Sequence, residues 1–117
     1  MKHSFFWRVR AASWTIRSAN SARKQLRRGI PPDAIELPRV PVLRPEAGII
    51  IRRITRLFGN TCLERAVVLQ RWYVAHGQPK PIYVGVTAPL TGFKAHAWLE
   101  GEKSGQDSFT ELLKFEA

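Results

Sequence analysis

Apolar residues follow a helical period up to about residue 77 and a strand-like period beyond it. Phe5, Val9, Ala12, Ile16, Ala19, Leu26 and Ile30 recur on alternating four-three steps, with Arg23 the one polar interruption. That spacing predicts a helix over residues 5 to 30 with one apolar stripe, flanked by a second apolar pair, Trp7 and Trp14. Arg8, Arg10, Arg17, Lys24, Arg27 and Arg28 fall largely outside the stripe, and Gly29 is the predicted stop. Residues 31 to 45 hold Pro31, Pro32, Pro38, Pro41 and Pro45, which predicts an extended, semi-rigid strap.

A second helix is predicted over about Glu46–Phe58, apolar on Ala47, Ile50, Ile51, Ile54, Leu57 and Phe58. Arg52, Arg53 and Arg56 face out of it, and Gly59 ends it. The third helix follows Asn60-Thr61 and runs to Gly77, with Pro79 preventing its return. Cys62, Ala66, Leu69 and Tyr73 share one of its sides. Ile82–Thr87 then reads as a strand, Pro89-Leu90-Thr91-Gly92 as a turn, and Phe93–Glu100 as the returning strand. Alternation on that strand points Phe93, Ala95, Ala97 and Leu99 one way and Lys94, His96, Trp98 and Glu100 the other. A polar loop, Gly101–Gln106, leads through Asp107 into a last apolar stretch, Phe109–Phe115. The fold class expected is α+β, with helices first and a small antiparallel sheet after them. Residues 1–45 form a basic helix and strap for docking or packing, and residues 46–117 form the core domain.

Charge sharpens this division. The net charge is +10 over 117 residues. Residues 1–61 hold 13 Lys/Arg against 3 Asp/Glu, whereas residues 62–117 hold 6 of each. The basic half suits an acidic partner, a nucleic acid or a membrane surface, or is simply a solvated face. No apolar run approaches the ~20 residues a membrane span needs, and the Arg- and Ser-rich start lacks the h-region of a signal peptide. With a single cysteine the chain forms no internal disulfide, which fits a reducing cytoplasm. Neither CxxC nor HxxxH spacing is present, so no metal site and no cofactor are expected.

That cysteine, Cys62, stands at the first turn of the third predicted helix. There the positive end of the helix dipole and unbonded N–H groups favour a negative sulfur, and the same N–H groups suit a developing oxyanion. Arg65, one turn on, adds positive charge. A thiol nucleophile needs a base, and His96 is the candidate: its neighbours Ala95 and Ala97 are small, and Trp98 can shield it. His76, beside Gly77, reads as a helix cap. Asp107 would hold the imidazole in the right tautomer, with Glu100 as the rival. Asp107 is favoured, because an acid four residues along one strand lies roughly 13 Å from its histidine, whereas a loop can return. The plain alternatives are a buried structural cysteine, a structural histidine and two loop acids.

Three strings occur in order: Thr61-Cys62-Leu63-Glu64-Arg65-Ala66-Val67-Val68-Leu69, Ile82-Tyr83-Val84-Gly85-Val86, and Gly92-Phe93-Lys94-Ala95-His96-Ala97-Trp98-Leu99-Glu100. Together they resemble the transglutaminase-like leader peptidases of lasso-peptide biosynthesis, the microcin-processing type, over about residues 46 to 115. The resemblance implies a Cys-His-Asp triad of Cys62, His96 and Asp107 that removes the leader from a ribosomal precursor peptide. It also implies a small leader-binding protein, here expected as a separate chain, and a lasso cyclase similar to asparagine synthetase. No glutamine precedes Cys62 at the papain spacing, which leaves Asn60 as a candidate for the second oxyanion donor. Competing readings are acyl transfer to an amine, an inert scaffold, and a nucleic-acid-binding protein built on the Arg-rich arm. The last is disfavoured because no nucleic-acid-binding motif is present.

Overall fold

The computed structural model describes residues 2–87, 95–101 and 109–117. Helix α1 (Lys2–Arg27) leads through a short 3-10 turn (Pro32–Ala34) to α2 (Ala47–Leu57) and α3 (Cys62–Ala75). Strands β1 (Ile82–Thr87), β2 (Ala95–Leu99) and β3 (Phe109–Phe115) follow. The chain is α+β, as its periodicities predict. The turn expected at Pro89–Gly92, the strand start at Phe93-Lys94 and the acid Asp107 lie outside the described residues. Among the described residues no helix is long and apolar enough to cross a membrane.

The helices end where their glycines stand. Past α2, Asn60 N–H bonds to Thr55 O and Gly59 N–H to Arg56 O, a pairing that needs Gly59 at φ +67°. The same pair of bonds closes α1 and α3. Each stop therefore has a local cause.

The buried face of α1 differs from the predicted stripe. It runs through Ala11, Trp14, Thr15, Ser18, Ala19 and Ala22, while Phe5 and Val9 are 67% and 47% exposed. Trp14 is fully buried and Trp7, seven residues before it, packs against the core, so this face removes more apolar surface than the thinner stripe would. The small residues around Trp14 let α2 and α3 come close. Its indole packs on Trp72 at 5.9 Å and donates to Pro38 O at 3.0 Å, so its one polar atom is satisfied. α2 likewise buries a narrow set, Ala47, Gly48, Ile51 and Thr55, and leaves Leu57 81% exposed.

The strap lies along α1 and α3 and is tied repeatedly. Arg71 donates to Pro32 O and Ile35 O, Gln25 exchanges bonds with the Glu36 backbone, and His76 Nε2 accepts from Leu43 N–H. His76 is indeed the α3 cap residue, and its ring also stacks on Trp72.

The sheet is antiparallel in the order β2-β1-β3, so the stretch read only as apolar becomes the strand beside β1. Ile82 pairs with Leu99 and Val84 with Ala97, and this apolar face joins the core with α3. The opposite face carries Tyr83, Trp98 and His96, stacked in sequence at 5.9 Å each. Gln70, fully buried on α3, donates to Lys80 O and Phe115 O and so fixes the sheet against the helix.

Candidate active site

The approach to Cys62 is built from a loop that caps α3. Thr61 Oγ1 accepts from Glu64 N–H at 3.2 Å, and Glu64 Oε1 accepts from Thr61 N–H at 3.1 Å, a reciprocal capping box. The same carboxylate oxygen accepts from Asn60 Nδ2 at 2.9 Å and from Arg23 Nε at 3.1 Å. Arg23 also donates to Gly59 O. The residue that interrupted the predicted α1 stripe is thus the tie between α1 and the loop before Cys62. Burial pushes the Glu64 carboxyl upward, but the bonds from Asn60, the Thr61 N–H and Arg23 outweigh it and hold the group below its ordinary range. It is a buried anion with every donor supplied by its surroundings.

Cys62 therefore occupies the first helical position of α3, as its place in the sequence predicts. The N–H groups of Cys62 and Leu63 form no hydrogen bond among the described residues. Asn60 spends its amide on Glu64 and does not line the cleft, so the donors at hand for an oxyanion are the backbone N–H groups at the start of α3 and the arginines that line the cleft.

Strand β2 lies at one edge of the described sheet and packs along α3. Ala97 N–H donates to Cys62 Sγ at 3.3 Å, which binds the sulfur to the residue next to His96. Cys62, His96 and Ala97 line one small cleft of about 40 Å³. Gly85 lies opposite His96 in the register, and Trp98 stacks on the imidazole at 5.9 Å. Cys62 and His96 thus both line one cleft, with the Ala97 N–H on the sulfur and the His96 ring on the face of β2 that carries Trp98. Asp107 lies outside the described residues, and Glu100 is exposed beyond β2 and does not line the cleft.

Three arginines complete the wall. Arg52 and Arg56 from α2 and Arg65 from α3 line the cleft, and no carboxylate does among the described residues. Arg52 donates to Tyr73 Oη at 3.0 Å. The sequence placed Arg52 and Arg56 on the outer face of their helix; the structure shows that this face borders the cysteine. Helical periodicity marks a polar face but cannot say what stands opposite it. The positive charge suits a substrate carboxylate or an anionic intermediate.

Among known families, the profile of the Transglutaminase-like superfamily matches residues 4–117 of this chain. No curated protein and no solved structure matches it significantly.

Proposed function

The chain belongs to the transglutaminase-like superfamily, and on that premise we propose that it is a cysteine peptidase removing the leader from a lasso-peptide precursor. The observation that carries the cysteine chemistry is the Ala97 N–H bond to Cys62 Sγ, in a cleft shared with His96. A sulfur at a helix start, a histidine on the adjoining strand and unspent backbone donors support this reading, since thiol acyl chemistry uses a nucleophile, a base and oxyanion donors. The order of the three sequence strings supports the leader-peptidase assignment within the superfamily.

In this reading His96 takes the thiol proton and Cys62 Sγ attacks the carbonyl at the leader–core junction. The N–H groups at the start of α3 hold the resulting oxyanion. His96 returns the proton to the departing amine, leaving a thioester, and water activated by the same imidazole releases the leader. Asp107 orients His96. A separate leader-binding protein presents the precursor, and a lasso cyclase closes the ring afterwards.

Mass spectrometry of a precursor peptide incubated with this protein and its leader-binding partner tests the proposal. Cleavage at one junction by wild type and none by Cys62→Ala, with unchanged circular dichroism, is expected. An intact precursor with the wild-type protein, while the partner demonstrably binds the leader, would sink the reading. Product carrying an added amine in place of water would assign acyl transfer instead.

A further inference from the structure

We propose that the open groove between α1 and the strap is a docking site for an extended, acidic peptide segment of a partner protein. It has a volume of about 550 Å³ and receives Arg10 and Arg17 from α1 and Arg39 from the strap. No carboxylate lines it, and none pairs with these arginines among the described residues. Three like charges facing one concave space repel one another and attract an anionic occupant.

The remaining walls select a peptide. Val9, Val40 and Val42 supply apolar surface, and Val42 is 78% exposed. Among the described residues no aromatic ring lines the groove, so they supply no base-stacking platform of a single-strand nucleic-acid site. The strap itself offers a backbone edge. Arg39 to Val42 make no backbone hydrogen bond among the described residues. On either side the strap is pinned, by Trp14 Nε1 to Pro38 O at 3.0 Å and by His76 Nε2 to Leu43 N–H at 3.1 Å. A short non-helical segment is therefore pinned at both ends with its backbone unbonded among the described residues. Val40 and Val42 each carry a backbone N–H, and Pro41 between them has none. That edge can accept an added strand, with acidic side chains of the strand meeting the arginines.

The groove is remote from Cys62. Arg23 meets Glu64 while Trp14 meets Trp72, so α1 runs antiparallel to α3. The groove residues on α1 consequently lie toward the far end of α3, roughly 15 Å from the cysteine at 1.5 Å per residue. A segment seated there recruits; it is not the stretch being cut. The proposal stands whether or not Cys62 cleaves a leader.

Fluorescence anisotropy with a labelled peptide of alternating Glu and Val tests it, beside a Lys–Val peptide and an oligothymidylate. Saturable binding of the acidic peptide alone is expected, equal in wild type and Cys62→Ala. Arg39→Glu should weaken it roughly tenfold or more, through a lost charge-assisted contact and a new repulsion. Val42→Pro, which removes one donor and no charge, should weaken it several-fold at an unchanged thermal melt. Absence of saturable binding, indifference to either substitution in a folded variant, or tighter binding of the oligothymidylate would each overturn the proposal.

Discussion

Glu64→Gln isolates the charge that holds the loop before Cys62. The wild-type carboxylate is 5% exposed, and its Oε1 accepts from Asn60 Nδ2, Thr61 N–H and Arg23 Nε at 2.9, 3.1 and 3.1 Å. Glutamine keeps the shape and one acceptor oxygen but makes every bond neutral on the acceptor side. A hydrogen bond to a charged group is worth about 1.5–3 kcal/mol and a neutral one about 0.5–1.5 kcal/mol, so each bond loses about 1 kcal/mol. Three bonds sharing one oxygen are not independent, which puts the total at about 2–3 kcal/mol. At roughly 4 °C per kcal/mol for a domain near this size, the melting temperature should fall by roughly 10 °C at pH 7. The pH dependence gives a second reading. Folding lowers the pKa of this carboxyl below its ordinary 4.5, so the folded state binds fewer protons than the unfolded one. The resulting stability is complete above the ordinary value and is lost as pH falls through the folded-state value. The gap between wild type and Glu64→Gln should therefore narrow as melts are taken from pH 7 down through and below 4.5. Identical melts at pH 7, or a gap that stays constant in acid, would refute the assignment of Glu64 as a buried anion stabilising the cap.

Substitutions at two further positions probe the scaffold. Trp14→Ala removes a fully buried ring and its bond to Pro38 O, and should cost about 3–5 kcal/mol in urea unfolding; Trp14→Phe should cost clearly less. His76→Phe retains an aromatic ring against Trp72 but loses the acceptor for Leu43 N–H. It should lower stability by about 1 kcal/mol and speed hydrogen exchange at Leu43 while leaving α3 protected.

Element boundaries were legible because their causes are local. Gly29, Gly59 and Gly77 supply the positive φ that a helix end uses, and the prolines keep residues 31 to 45 out of α-helix, leaving only the 3-10 turn at Pro32–Ala34. Alternation marked β1 and β2, and the loop-to-helix transition placed Cys62 at the first turn of α3. Faces were harder. Counting apolar positions weights Phe5 like Trp14, whereas burial follows area and the fit of neighbours; the small Ala11, Ser18 and Ala22 beside Trp14 decide the buried side. Pairings distant in sequence were not legible at all. Arg23 looked like a fault in a stripe until Glu64 was found opposite it. The Thr61–Glu64 spacing is the one missed feature with a local signal, since Thr-x-x-Glu before an apolar run is the mark of a capping box.

The geometry at Cys62 depends on residues that do not line its cleft. The 3.3 Å contact from Ala97 N–H to Sγ joins the start of α3 to an edge strand, so it is held only if both are fixed. Gln70 fixes the sheet side through Lys80 O and Phe115 O, one at the entrance to β1 and the other at the end of β3. Glu64 fixes the helix side, and Arg23 carries that restraint back to α1. A displacement of about 1 Å at a reacting centre is enough to cost a large factor in rate. The basic N-terminal helix therefore contributes to the cysteine's position through the Arg23 guanidinium and through the packing of Trp14 on Trp72.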